Sequence, residues 1–291
     1  MLITKKMKLI SNYKHNDSLR GKFNRLALEI FGFDLEDWYQ KGFWDSRYVC
    51  HSFLEEDQIV SNVSTTAFKV FLNGMVFNAI QIGTVMTKKE FRGKGLGVEL
   101  TNTVIDQYRS KSDFFYLFAH NKVWDYYKKQ GFVPINRFNY FLSIQPEKRS
   151  CEPLRKLDLT DPEDFEIMIR LAKRRNPVSK TFGILDDTNV FLFYCLNAYG
   201  DHLFYSDSMD CLLIFSASKD KVVHLYDVLC ASELGLRDII PLICFENSDA
   251  ESVLFHYSPD YPDIIEEPEA ILSNDKLFFK GNGTVLPSEC L

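Results

Sequence analysis

Apolar residues recur at three and four positions through Leu19, Phe23, Leu26, Ala27 and Ile30, which predicts one buried helical face ending at Gly32. The aromatic and acidic stretch from Asp34 to Phe43 reads as a second, short helix. Three strands follow, at Tyr48 to Leu54, Ile59 to Leu72 and Met75 to Thr87. Asn73-Gly74 between the last two is a hairpin signal, because both residues tolerate positive φ. Helical spacing resumes with Val98, Thr101, Val104, Ile105 and Tyr108. Phe114 to Ala119 is continuously apolar, the pattern of a strand buried on both faces. A helix over Lys122 to Lys129 stops at Gly131, and Phe132 to Leu142 returns as a strand. The order is α-α-β-β-β-α-β-α-β.

The polar stretch Gln145 to Pro153 reads as a linker and divides the chain into domains 1–145 and 146–291. Beyond it the pattern predicts helices at Pro162 to Arg174 and Asn189 to Ala198. A meander of Leu203 to Tyr205, Cys211 to Ala217 and Val222 to Leu229 comes next. A helix from Ser232 to Cys244, kinked or shortened by Pro241, and strands at Val253 to Tyr257 and Leu277 to Phe279 complete it. The second half thus echoes the coarse order of the first. The fold class is α/β with mixed (α+β) sheets, in two domains.

Charge sharpens the division. Residues 1–150 carry 22 Lys and Arg against 15 Asp and Glu, a balance of +7, while residues 151–291 carry 12 against 25, a balance of −13. The first half suits an anionic ligand; the second repels nucleic acid, and its acidity serves either a cation or solubility. No apolar run reaches the roughly 18 residues that span a bilayer, and the N-terminus has no signal-peptide pattern. Seven scattered cysteines without a C-x-x-C read as reduced thiols, so the expectation is a cytoplasmic protein with no bound metal.

The candidate chemistry lies where the third strand meets Arg92-Gly93-Lys94-Gly95-Leu96-Gly97. A glycine-rich turn opening a helix leaves backbone amides facing outward at the positive end of the helix dipole. Arg92 and Lys94 add cations, which makes a phosphate cradle. The spacing departs from G-x-x-x-x-G-K-[ST] and from G-x-G-x-x-G, and an antiparallel meander precedes it, which weakens both nucleotide readings.

Arg92, Gly95 and Gly97 do match the [RQ]-x-x-G-x-[GA] signature of the GNAT superfamily of acyl-CoA-dependent N-acyltransferases. Tyr127-Lys128-Lys129-Gln130-Gly131-Phe132 resembles the Y-x-x-x-G-F segment of that superfamily. The long second strand and Gln81 to Thr87 resemble more closely its bacterial "enhanced intracellular survival" branch, whose members carry a second, degenerate GNAT-like domain. The resemblance covers about residues 1–145, and it accounts for the echo in the second half, where Cys230-Ala231-Ser232-Glu233-Leu234-Gly235 stands in place of the glycine turn.

The resemblance implies an N-acetyltransferase with acetyl-CoA as cosubstrate in a V-shaped gap between the third strand and Phe114–Ala119. Backbone groups of Val85, Met86 and Thr87 would hold the pantetheine arm. Amides of Arg92, Gly93, Lys94, Gly95, Leu96 and Gly97 would hold the pyrophosphate. Tyr127 takes the position of the acid that protonates the leaving thiolate; the alternative is a core aromatic. The Asn that usually stands seven residues before that Tyr is replaced by His120, with Asn121 next to it, so either residue is a candidate contact for the CoA arm. His120 otherwise serves as a proton relay or simply in the structure.

No glutamate lies on the third strand, where several relatives keep a base. His51, Glu55, Glu56 and Asp57 offer either a base or a solvated turn, and Leu291 offers its carboxylate only if the tail folds back. Asp34, Glu36, Asp37, Trp38, Tyr39, Phe43 and Trp44 form either a pocket for a cationic amine or a helix core. The acceptor expected is a small molecule with a primary amine, attacked on acetyl-CoA in a ternary complex. The competing reading is a CoA-binding sensor without catalysis. Neither a nucleic acid nor a membrane is an expected partner, and the sequence assigns no oligomeric state.

Overall fold

The computed structural model describes residues 7–135, 138–145, 152–261, 264–268 and 275–281. The strands are β1 (Lys8–Ser11), β2 (Tyr48–Glu55), β3 (Gln58–Leu72), β4 (Met75–Thr87), β5 (Phe114–His120), β6 (Val133–Pro134), β7 (Phe138–Ser143) and β8 (Arg155–Lys156). They continue with β9 (Phe182–Leu185), β10 (Leu203–Ser206), β11 (Cys211–Ala217), β12 (Val222–Leu229), β13 (Ser252–Phe255), β14 (Ile265–Pro268) and β15 (Asp275–Gly281). The helices are α1 (Asp17–Phe31), α2 (Glu36–Gln40), α3 (Leu96–Tyr108), α4 (Trp124–Lys128), α5 (Pro162–Arg174), α6 (Thr188–Tyr194) and α7 (Leu236–Glu246).

The chain forms two compact units. The first sheet runs β1-β2-β3-β4-β5-β15-β6, and β4 pairs with β5 in parallel. Its core packs Leu100, Val104 and Ile105 of α3 against Ile80, Ile82, Phe115 and Leu117 of the sheet. The second sheet runs β14-β7-β13-β12-β11-β10-β8, and β12 pairs with β13 in parallel. Its core packs Ile239, Leu242 and Ile243 of α7 against Leu213, Phe215, Val223 and Leu225. The echo in element order therefore extends to sheet topology, with one parallel pair in each unit following an antiparallel meander.

The boundary at 145/146 needs correction, because the units exchange strands. β7 precedes that boundary and pairs in the second sheet with β13 and β14. β15 comes from the far end of the chain and fills the matching place in the first sheet, between β5 and β6. Its Phe278 and Phe279 are buried there. The predicted strand Phe132 to Leu142 is accordingly two strands, β6 and β7, in different sheets. Period-two alternation marks a strand and carries no information about its partner. Part of the linker, residues 146–151, lies outside the described residues, as do Cys151, Cys290 and Leu291. β1 and β9, four residues each, are too short to show alternation, and the sequence did not predict them.

α1 begins at Asn16, whose side chain accepts from the Leu19 amide at 3.0 Å, and ends at Gly32 with φ +80°. The hairpin turn between β3 and β4 uses Asn73 at φ +46° and Gly74 at φ +83°, as the Asn-Gly signal requires. No described helix is long and apolar enough to cross a membrane.

Candidate functional site

β4 and β5 pair only at Ala79 with Phe114, Ile80 with Phe115 and Gln81 with Tyr116. Among the described residues the pairing does not continue into Ile82–Thr87 and Leu117–His120. β5 meanwhile keeps β15 along its whole length. The two parallel strands therefore diverge, and Gly83, Thr84, Val85 and Thr87 are half-buried beside the opening. The divergence coincides with an irregularity in β4, where Thr84 has φ +41°. A β-branched residue is rarely found there, at a cost of about 1–3 kcal/mol unless its surroundings hold it.

The surroundings do hold it. Asn62 on β3, fully buried, donates from Nδ2 to the Thr84 carbonyl at 2.8 Å, and the Tyr48 hydroxyl lies 2.5 Å from Thr84 Oγ1. Asn62 Oδ1 accepts from Ser52 Oγ at 2.8 Å, and Ser52 Oγ is 2.6 Å from the Tyr13 hydroxyl. Asn62 Nδ2 also donates to Ser64 Oγ at 3.0 Å, so the amide is bonded through both its oxygen and its nitrogen. Burial pushes the Tyr48 and Tyr13 phenols up, and the Cys50 thiol up to about 12, which keeps this network neutral. Further along β4, the Met86 carbonyl accepts from Ser61 Oγ at 3.0 Å. The Thr87 carbonyl accepts from Arg92 Nε at 3.1 Å, which folds the glycine turn back on the end of β4.

The turn itself is built for a close approach. Gly93 and Gly95 have φ of +77° and +81°, and a Cβ on either would meet nothing within 4 Å. Gly95 is the N-cap of α3 and no side chain caps that helix. α1 and α5 are capped by Asn16 and Asp161, and in α7 the Asp238 carboxylate takes the Gly235 amide at 2.8 Å. The first-turn amides of α3 thus stand uncapped beside two exposed cations, Arg92 and Lys94, with Lys94 Nζ over the Phe91 ring at 4.4 Å. Gly97 has a different role. A Cβ there would come within 2.7 Å of the Tyr126 hydroxyl, so its lack of a side chain lets Tyr126 lie against the start of α3. The sequence reading missed Tyr126; its place beside the Tyr of the Y-x-x-x-G-F segment was the available signal.

Tyr127 is 6 % exposed and packs with Tyr126, Phe132 and Phe278, the last contributed by β15. Burial pushes its phenol up, so it keeps its proton at neutral pH. Tyr127 is thus a core aromatic with a protonated hydroxyl, an arrangement compatible with either of the two roles expected of it. His120 and Asn121 are exposed at the end of β5, and His120 Nδ1 accepts from the Lys122 amide at 3.3 Å, a capping contact.

Other candidates resolve differently. His51 is 1 % exposed, with Ser11 Oγ 3.0 Å from Nδ1 and Thr65 Oγ1 3.4 Å from Nε2. Burial pushes its pKa down to about 4, so it is a neutral interior group without access to a substrate. Glu56 and Asp57 form the exposed β2–β3 turn at φ +45° and +64°, and Asp57 pairs with Lys22. Trp38 and Trp44 are each 3 % exposed, 5.8 Å apart and stacked in the core. Glu36 pairs with Arg20 at 3.0 Å and Asp37 with Lys41 at 3.1 Å. The aromatic-acidic stretch is thus a helix core with its charges paired. Among the described residues no three His, Cys, Asp or Glu side chains cluster to hold a metal.

A family model described as an acetyltransferase (GNAT) domain matches residues 20–135, which contain β2 to β5, the glycine turn and α4. No curated protein matches the chain by sequence. Solved structures match it over both units. A probable N-acyltransferase from Enterococcus faecalis superposes with a TM-score of 0.62 at 14 % identity, covering 95 % of this chain and 72 % of that one. A GCN5-related N-acetyltransferase from Kribbella flavida gives 0.60 at 17 % identity, covering 96 % and 72 %. Eis1 from Mycobacterium abscessus gives 0.58 at 9 % identity, covering 95 % and 74 %. At such identities these structures establish a shared fold, and the family model goes further for one part of the chain: residues 20–135 form an acetyltransferase domain of the GNAT type.

Proposed function

We propose that the protein transfers an acetyl group from acetyl-CoA to the primary amine of a small cationic acceptor, by direct attack in a ternary complex. The observation that carries this reading is the divergence of β4 from β5 next to an uncapped, glycine-opened helix start with two exposed cations, Arg92 and Lys94. The cradle fits a pyrophosphate: its amides have no capping side chain, and its glycines leave the approach clear.

Acetyl-CoA supplies the activated acetyl thioester. Amides of Arg92 to Gly97, with the Arg92 and Lys94 charges, bind the pyrophosphate. Backbone groups of Val85, Met86 and Thr87 align the pantetheine arm, and Asn121 borders it at the end of β5. An N–H of β4 near Met86 polarises the carbonyl. As the acceptor nitrogen bonds to the acetyl carbon, the carbon–sulfur bond breaks. Tyr127 gives its proton to the departing thiolate and is reprotonated from solvent, and the amine proton leaves to water.

A second reading, a CoA-binding sensor, is favoured by the burial of His51, which removes one candidate base from reach of substrate. A panel of polyamines, aminoglycosides and lysine-like amines, assayed for thiol release from acetyl-CoA, separates the two. Turnover that Tyr127→Phe reduces supports the enzyme. Tight acetyl-CoA binding with background turnover across the panel supports the sensor.

A further inference from the structure

We infer that Asn62 and Tyr48 are positioning residues that aim the Val85 N–H of β4 into the gap where the thioester is held. The inference rests on the acetyl-CoA reading above and goes beyond it, to the side chains that set the donor. A trans peptide is planar, so the carbonyl of Thr84 and the N–H of Val85, which share one peptide unit, point in opposite directions. Asn62 turns that carbonyl toward itself at 2.8 Å from its place on β3, and β3 and β5 flank β4 on opposite sides. The Val85 N–H is thereby directed away from the β3 side chain, toward the side on which β5 departs.

This orientation has to be enforced, because Thr84 at φ +41° lies where a β-branched side chain is disfavoured. Tyr48 holds the other end of the same residue, with its hydroxyl 2.5 Å from Thr84 Oγ1. Neither Asn62 nor Tyr48 is exposed to solvent, and Asn62 is anchored in turn through Ser52 to Tyr13. A fixed dipole at a site of developing charge acts without reorganisation during reaction. A chain of buried polar side chains, each bonded to the next, is the structure such a fixed dipole needs.

The test is the carbonyl stretch of bound acetyl-CoA labelled with ¹³C at the thioester carbon, read by isotope-edited infrared difference, beside calorimetric affinities for acetyl-CoA and CoA. In the wild type the stretch moves to lower frequency on binding. In Asn62→Leu that shift falls by at least half and the preference for acetyl-CoA over CoA narrows, while CoA itself binds as before. Tyr48→Phe, which keeps the packing, loses a smaller part of the shift. Thr84→Gly in the Asn62→Leu background recovers part of it, because glycine enters the left-handed region without strain. A general loss of folding would lower CoA binding as well and would not be rescued at residue 84. A stretch unchanged in Tyr48→Phe and Asn62→Leu proteins that still bind CoA overturns the inference alone. Absence of acetyl-CoA binding to the wild type overturns the acetyl-CoA reading and takes the inference with it.

Discussion

The two units place the same junction, a strand leading into the helix that crosses to its parallel partner, in opposite electrostatic settings. At the end of β4 the helix start is uncapped and flanked by Arg92 and Lys94. At the end of β12 the matching segment reads Cys230 to Gly235, and its helix, α7, carries its own carboxylate, Asp238, on the N-cap amide. A cavity of about 400 Å³ lies there, lined by Val228, Cys230, Glu233, Gly235, Tyr257 and Asp260. Its cation, Lys180, is 3.3 Å from Glu233, and the Lys180 backbone amide donates to Asp260. The strands differ as well. Thr84 of β4 is held by the neutral amide of Asn62, whereas Asp227 of β12 is clamped with Asp187 by Arg175 in a nearly buried ion cluster. Topology alone therefore does not make a phosphate site. On the proposed acetyl-CoA reading, an uncapped dipole beside exposed positive charge does, and the second unit carries an internal carboxylate, Asp238, at the matching place.

The largest expected effect tests the cradle. Gly95→Val puts a β-branched residue at φ +81°, and the strain together with the lost amide geometry should weaken acetyl-CoA binding on the order of a thousandfold in calorimetry. The same strain should cost about 1–3 kcal/mol of stability, because open space around Gly95 relieves crowding and not a positive φ. Next comes a pH effect confined to the first unit. Burial holds His51 at about pKa 4 in the folded chain, below its unfolded value, so the unfolded state binds the extra proton between these values. Stability should fall as pH drops from about 6.5 toward 4 by up to roughly 3 kcal/mol, and His51→Gln should flatten that slope in urea titrations.

Tyr127→Phe should lower kcat about a hundredfold with acetyl-CoA affinity unchanged, the range for removing a general acid. An equal loss of affinity would instead assign Tyr127 to packing alone. Lys94→Ala should weaken binding roughly tenfold at low salt and less at high salt, as an exposed charge does. The smallest change sharpens the comparison from the other side. Asp238→Asn should cost about 1 kcal/mol by weakening the α7 cap, with no second equivalent of acetyl-CoA gained.

Much of the first unit was legible because local rules fix it. The Asn73-Gly74 turn, the β3 and β4 spans and the glycine-opened α3 follow from turn chemistry and periodicity. The strand exchange was not legible, since Leu277 to Phe279 reads as a strand wherever it pairs, and nothing local assigns it to β5. The left-handed Thr84 was hidden for a similar reason. Threonine favours strands, and only the contacts from Asn62 and Tyr48, 22 and 36 residues away, reverse its φ. The polar run of β3, with Ser61, Asn62, Ser64, Thr65 and Thr66 all buried, was the one trace of that network. Its residues are short hydrogen-bonding side chains in place of the Lys and Glu of a solvated strand.

The most direct measurement is a calorimetric titration of the full chain with acetyl-CoA, in the wild type, Gly95→Val and Asp238→Asn. One equivalent bound, lost in Gly95→Val and kept in Asp238→Asn, is the predicted result. Two equivalents, or one equivalent that survives Gly95→Val, would contradict the claim that the two junctions differ in their capacity to hold the cofactor.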